Sequence, residues 1–473
     1  MVSSDMAAVV GEPESLLDLS LRPEGARREI SNWKLAVYAL PSIPIAFLFL
    51  PVSLLMPAFY ASTMHVSLAA VGGFLLLSRS ADVILDPMIG KWSDATRSRF
   101  GRRRLWMMIG TPLLMIGAAM LFMPMTKVNG WYLLAASFVI YAGGSTVGLP
   151  YSAWGTEIVH TYNGRARMAG LRETAGVIGS LIAAIVAAST GYLGHGVDRY
   201  TMSIMGWAII ILTPLTVWIA TSVVGEPTAP VAVRTPWLPS IAALFRNRPF
   251  RLFCLTYVIF TVGSSIASAT LVFFFSDYIG QPNLVGPGIL AVSFITVACV
   301  PMWLWISRRI GKHRATAISL LASMVLYAGL TPLLHHGQGW LYVGLLALLG
   351  VVSSGFQTLP MGMIGDIIDY DALINGQPRG GLFWGVWSFA QKVSPAFAIS
   401  GTLSLLGAVG FKPGEHNSQA SLDALKYIYC FGPVPFYVAG ALLLFWFPID
   451  ARRHDIIRRR LDARQARQAR AAV

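Results

Sequence analysis

Charge is scarce in this chain. Of its 473 residues, 12% are Asp, Glu, Lys or Arg and 55% are hydrophobic. A soluble protein carries about 25% charged residues, so a soluble globular domain is excluded. Acids are scarcer than bases, 22 against 36, and the net charge is +14. On one soluble face such an excess would point to nucleic acid. Here the bases lie in short loops between apolar stretches, and no nucleic-acid partner is expected. Cysteine is nearly absent: Cys254, Cys299 and Cys430 fall in apolar segments with neither metal-ligand spacing nor a pairing pattern, and read as small buried hydrophobes. There is no HExxH, no Cys/His cluster and no glycine-rich phosphate loop. His335 and His336 read as solvated loop residues. An enzyme is therefore not expected, nor a cofactor. The first 33 residues contain Glu12, Glu14, Asp18, Arg22, Arg27 and Arg28 but no apolar run, unlike a cleavable signal peptide. They read as a cytoplasmic tail, with the first apolar stretch directing insertion.

What the chain has in quantity is apolar stretches long enough to cross a hydrocarbon core of about 30 Å. They are placed at 34–62, 68–92, 105–125, 131–155, 170–193 and 200–224, then at 251–276, 287–308, 314–334, 339–364, 381–409 and 425–448. This predicts an all-α membrane protein of twelve transmembrane helices in two six-helix bundles. Its parts are a tail 1–33, a bundle 34–224, a central loop 225–250, a bundle 251–448 and a basic tail 449–473. Lys and Arg concentrate in alternate loops: Lys91, Arg97, Arg99 and Arg102 to Arg104, then Arg165 and Arg167, then Arg308, Arg309, Lys312 and Arg314, then the tail. That excess marks the cytoplasmic side and puts both termini there. A six-plus-six layout around a proline-rich cytoplasmic loop is typical of transporters built from two related bundles. Within that loop Trp237, Leu238, Ile241, Leu244 and Phe245 either lie flat on the membrane or form an ordinary linker. Attraction to anionic lipid accounts for the basic tail.

Other features suggest how the helices meet. Pro150 followed by Glu157, and Pro360 followed by Asp366 and then Arg379, recur at matching places in the halves. Pro41, Pro44, Pro51 and Pro57 either merely bend the first helix or expose its carbonyls to a water-filled cavity. Gly143, Gly144 and Gly148 form a small-residue face on helix 4, where close helix packing is expected.

An ionisable group deep in a membrane helix costs about 2.5–3.5 kcal/mol, so four such residues stand out: Arg79, Asp82 and Asp86 in helix 2 and Lys392 in helix 11. The first three are spaced i, i+3 and i+7 and share one helix face. Two carboxylates one turn apart repel in a low dielectric. Relief comes from a proton, from Arg79 or Lys392, or from a hard cation such as Na⁺ bound by oxygen. Such a site is suited to coupled transport. The alternative is a static ion-pair network that only locks helices. Ser145 on helix 4 either adds an oxygen to this site or bonds its own backbone. The loop from Asp94 to Arg102, Arg103 and Arg104 either gates through ion pairs that change between states or anchors the cytoplasmic face.

The segment Asp82-Val-Ile-Leu-Asp86-Pro-Met-Ile-Gly90, followed by Asp94-Ala-Thr-Arg-Ser-Arg-Phe-Gly-Arg-Arg-Arg-Leu-Trp106, resembles the glycoside–pentoside–hexuronide:cation symporters of the major facilitator superfamily. So do Asp366 to Asp371 and Gly381 to Lys392, and the stretch from Pro150-Tyr151 to Arg172. The resemblance implies symport of a small solute with Na⁺, Li⁺ or H⁺ by rocking between two open states. It implies a cation site at Asp82 and Asp86 with Ser145, a helix 11 lysine at Lys392 and a substrate-facing arginine at Arg172. Gating is assigned to Asp94, Arg102, Arg103, Arg104, Glu157, Asp366 and Arg379. The chain departs from the melibiose-type pattern where sugar-binding acids are expected, at Ala46 and Gly148, and has Leu85 where an asparagine is common. The expected partners are a small-molecule solute and the lipid bilayer, the expected working unit is a monomer, and the expected location is a bacterial inner membrane.

Overall fold

A computed structural model describes residues 30–450 except 126–127, 160–161, 227–243 and 376–379, together with 453–457, 459–461 and 463. Among these residues the chain is helical and has no strand. The helices are α1 Asn32–Ser62, α2 Leu68–Ala95, α3 Arg102–Phe122, α4 Gly130–Ile158, α5 Tyr162–Tyr192 and α6 Arg199–Val223. They continue as α7 Arg248–Tyr278, α8 Pro282–Ala298 with Val300–Ile310, α9 Lys312–Leu333, α10 Gly339–Asn375, α11 Gly380–Ala408 and α12 Gln419–Phe445. Ten are long and apolar enough to cross a membrane, and the two limbs of α8, bent by 44° at Cys299, make an eleventh together. At 29 residues α11 has spanning length but not the same apolar density, and it carries Lys392. The expected twelve is thus met on length and falls one short on apolar character.

Short polar side chains start many of these helices. Asn129 caps α4 through the Tyr132 N–H at 2.9 Å, Asp198 caps α6 through Thr201 at 2.9 Å, and Asn247 caps α7 through Phe250 at 3.1 Å. Each satisfies one N–H that has no partner within the helix. Two helices begin differently. α3 follows Gly101 and α9 follows Gly311, and both glycines hold φ at +90°, a region costly for other residues.

The first six helices pack on one another, chiefly α3 with α4 and α6, α2 with α4, and α1 with α5. The last six do likewise, through α9 with α10 and α12 and α7 with α11 and α12. The two groups meet along α5–α8, α2–α11 and α1–α7. Their closest approach lies at the helix ends away from the arginine-rich loops, called here the neutral end. A Cβ on Gly286 would collide with the Ala187 carbonyl, and one on Gly72 would stand 2.9 Å from the carbonyl oxygen of Ser400. On the outer faces of the helices large apolar side chains are exposed, among them Phe49, Ile84, Trp207, Ile211 and Leu341. A soluble protein does not tolerate so continuous an apolar belt. Trp33, Trp131, Trp340 and Trp446 are exposed near helix ends, where membrane interfaces favour them.

The prolines of α1 do interrupt it. The helix breaks at Leu40-Pro41 and passes through a wider π-turn at Pro51–Leu55. At the break Tyr38 and Tyr151 clasp each other: each hydroxyl donates to the other's carbonyl, at 2.7 and 2.9 Å. The backbone acceptor beside the break is thereby satisfied from α4. The glycine face of α4 needs correction. Gly143 does lie against the α3 backbone at Leu114, but a Cβ on Gly144 or Gly148 would meet nothing within 4 Å. On a helix, consecutive residues point about 100° apart, so the GxxxG pair faces open space and only Gly143 faces a neighbour.

Candidate functional site

The charges of α2 are brought together with α11 and α4. Asp82 is buried, with 3% of its surface exposed. Arg79, three residues earlier on the same helix, places a guanidinium nitrogen 3.6 Å from Asp82 Oδ2. Asp86 accepts a charged hydrogen bond from Lys392 Nζ, so an acid of the first helix group is tied to a base of the second. Each acid therefore has its own base. Each also keeps one buried oxygen, Oδ1, with no hydrogen-bond partner. A buried carboxylate oxygen left unsatisfied is costly and is a natural ligand for a proton or a hard cation. Ser145 is buried on α4, but among the described residues it makes no hydrogen bond to either acid.

One face of α4 carries Tyr141, Gly144, Ser145, Gly148 and Ser152, spaced three to four residues apart as helix geometry requires. Arg79 lies over the Tyr141 ring, its Cζ 3.9 Å from the centroid. At the other end Arg172 from α5 lies 4.6 Å above the Tyr151 ring and donates to Ser152 Oγ at 3.2 Å. Ala46 is 3.8 Å from where a Gly176 Cβ would be. The wall between the two guanidinium groups is thus smooth, small and without an acid.

At the basic end Asp94, Arg102, Arg103, Glu157 and Asp366, five of the residues expected to gate, enter two networks. In the first, Glu157 Oε1 accepts from Arg102 at 2.7 Å and from Arg103 at 2.8 and 3.0 Å. Arg103 also reaches Asp94 at 2.5 Å and Ser93 at 2.9 Å. Glu226, just past α6, accepts from the backbone N–H groups of Arg102, Arg103 and Arg104 at 2.9–3.3 Å. A carboxylate there satisfies the free donors of α3 and meets the positive end of its dipole. The side chain of Arg104 keeps a buried Nε without a partner. In the second network Lys312 Nζ binds both oxygens of Asp366, at 2.7 and 2.8 Å. His454 Nε2 stands 3.3 Å from both Asp366 and Asp369.

The two networks match. Gly101 leads to Arg102 and Arg103, which pair with Glu157 of α4, and Gly311 leads to Lys312, which pairs with Asp366 of α10. Arg379, the arginine that follows Asp366 in the recurring order, lies outside the described residues, and Asp366 pairs with Lys312. The expected lipid role for the basic tail is joined by a protein contact, because Ile457 is buried and His454 pairs with α10 acids. Sequence reasoning also missed Tyr141, Glu226 and His454. Lys312 was legible only as a topology marker, Glu226 as the lone acid of the proline-rich loop, and His454 as a lone histidine among arginines. Nothing in the sequence singled out Tyr141. The stretch from Trp237 to Phe245, either a membrane-surface segment or a linker, falls largely on 227–243, outside the described residues.

The model of the MFS/sugar transport protein family matches residues 37–451. The glucuronide carrier protein homolog of Escherichia coli K12 is 23% identical over 447 residues, covering 92% of this chain and 96% of its own. The isoprimeverose transporter of Lactiplantibacillus pentosus is 23% identical over 465 residues, covering 94% and 93%. Among solved structures the nucleoside transporter NupG shares the fold with a TM-score of 0.60 at 14% identity, covering 88% of this chain and 98% of that one. With a matching family model over nearly its whole length, two helix groups and a charged centre between them, the chain belongs to the MFS/sugar transport protein family.

Proposed function

We propose that this protein is a secondary active symporter that carries a small organic solute together with Na⁺ or H⁺ by alternating access. The observation that carries the reading is the pair Lys392–Asp86, which joins the two helix groups beside two buried carboxylate oxygens lacking partners. Residues 34–224 and 251–448 act as the two rocking bundles, and the basic end faces the cytoplasm of a bacterial cell. The close contacts of the bundles at Gly72 and Gly286 of the neutral end support a state that opens at the basic end.

The cycle follows from the pairings. A coupling cation enters at the free oxygens of Asp82 and Asp86 and weakens the hold of Lys392 on Asp86. Ser145 supplies a further oxygen once the helices close. Solute then occupies the cavity along the smooth face of α4 and contacts Arg172. With cation and solute in place, the bundles rock, and the ion pairs of Asp94, Arg102, Arg103, Glu157 and Asp366 rearrange, with Arg104 and Arg379 as the further gating residues. The solute is of sugar or glycoside size. Because Ala46 and Gly148 offer no carboxylate, its acceptor groups are met by donors, Arg172 foremost. A solute bearing an anionic group suits that wall best. The protein acts as a monomer.

Proteoliposome uptake tests the reading. Asp82→Asn is expected to abolish accumulation against a gradient while leaving solute counterflow measurable. A variant that still concentrates solute would sink the proposal. Na⁺ varied at fixed pH, then pH varied without Na⁺, identifies the ion. A membrane-impermeant thiol reagent reading a cysteine at Gly194 from outside and one at Arg99 only from inside tests the orientation.

A further inference from the structure

The two acids of α2 are held unequally. Asp86 is engaged outright by the Lys392 ammonium from the opposite bundle. Asp82 is not. Arg79 Nη1 stands 3.6 Å from Asp82 Oδ2, within ion-pair range but beyond a hydrogen bond. Asp82 Oδ1 is buried without a partner, on a residue with only 3% of its surface exposed. An arginine one helical turn from an aspartate has the reach to bind both of its oxygens in the usual fork, and something keeps it from doing so. The guanidinium lies on the Tyr141 ring at 3.9 Å from its centroid, and Tyr141 stands on α4, which packs along α2. A stacked guanidinium is held there by the ring quadrupole, with a strength at a partly desolvated site equivalent to about tenfold in an equilibrium.

We propose that Tyr141 is a positioning residue for the coupling cation: its ring parks Arg79 beside Asp82 and keeps it from closing on the carboxylate. This rests on the reading of Asp82 and Asp86 as the cation site. The parked arginine lowers the cost of the buried charge, yet the arriving ion does not have to displace an arginine fork from Asp82. The competition it must win is confined to Lys392 on Asp86. A monovalent cation seeking carboxylate oxygen, Na⁺ or a proton, meets one open acid and one locked one. The plain alternative is that Tyr141 only fills space between α2 and α4.

The test uses the full-length protein in lipid nanodiscs, with NaCl as the probe at fixed pH and the heat of binding as the readout. Carboxyl infrared bands during a pH titration without Na⁺ read the proton in the same samples. Tyr141→Leu removes the ring face and is expected to raise the cation concentration for half-saturation about tenfold. Tyr141→Phe keeps the face and stays within about twofold. In an Arg79→Gln background Tyr141→Leu is expected to have no further effect, because its action passes through Arg79. A packing defect would instead act equally in both backgrounds and would lower thermal stability in both. Half-saturation unchanged in Tyr141→Leu, or a shift that persists undiminished in Arg79→Gln, overturns the proposal. Asp82→Asn separates the two levels. If it abolishes cation binding while Tyr141→Leu leaves it unmoved, the positioning role fails and the cation site stands. If Asp82→Asn binds the cation as before, the site fails and the positioning role with it.

Discussion

Lys392 is the one base that reaches from the second bundle to an α2 acid among the described residues. A charged hydrogen bond of this kind contributes about 1.5–3 kcal/mol, and under the proposed cycle a coupling cation at Asp86 competes with it. Lys392→Gln removes the competitor. The cation concentration for half-saturation is expected to fall about tenfold or more, while uptake slows, because the empty carrier loses the tie that organises its return. Equilibrium cation binding and initial uptake rate, measured together, check this; a weaker cation affinity would contradict the competition. This residue was legible in the sequence as an expensive charge in an apolar stretch, and so were Arg79, Asp82 and Asp86. Tyr141 was not. A tyrosine in a membrane helix costs little and is common, so only its place under Arg79 distinguishes it.

Among the helices, the sharpest constraints are glycines with backbone at their side. A Cβ on Gly286 would collide with the Ala187 carbonyl and fall 2.8 Å from the Ala188 nitrogen. Gly286→Val is therefore expected to pry α8 from α5 at the neutral end. A cysteine placed at Gly148 should become several-fold more reactive to an impermeant reagent from the neutral side, and net transport should fall. Unchanged reactivity would show that α5 and α8 tolerate the wedge. Gly101 is constrained in another way. Its φ of +90° and the Glu226 carboxylate, which a methyl at this position would strike, leave no room for alanine. Gly101→Ala combines backbone strain of about 1–2 kcal/mol with loss of a helix cap of about 1 kcal/mol. The expected readout is a drop of several degrees in Tm in detergent, and an unchanged Tm would contradict it. Helix positions were readable from apolar runs, but their ends were not: α10 runs to Asn375, so Asp366 and Asp371 lie on helix rather than loop. Charged residues one or two turns beyond a membrane core leave no mark in hydropathy. The glycine pair of α4 misled because small residues serve both close packing and open walls, and spacing alone does not separate the two.

For the molecule as a whole, the six-plus-six layout was legible because it is written in long runs and loop charge. The match between the networks of Arg102, Arg103 and Glu157 and of Lys312 and Asp366 was only half legible. The sequence showed the proline and the acid, but the base came from the first turn of another helix some fifty residues away. The ion pairs at the basic end with both partners described lie within one helix group each. None of those bonds ties one bundle to the other, so under the proposed cycle their rearrangement accompanies closing of the basic end, not its opening.

The pairing at the centre has an electrical consequence. Asp82 and Asp86 against Arg79 and Lys392 sum to zero charge, so the empty centre crosses the membrane field as a neutral object. With one coupling cation aboard, an anionic solute would cancel the added charge, whereas with a neutral solute the centre carries a single positive charge, worth about 2.3 kcal/mol per 100 mV. Membrane voltage then drives the loaded step and leaves the empty return untouched. In proteoliposomes with a clamped potassium diffusion potential, an inside-negative voltage should speed concentrative uptake of a neutral solute. Exchange of solute between loaded states, measured at saturating cation, should barely respond, and a return step accelerated by voltage would mean that one of the four charges is absent.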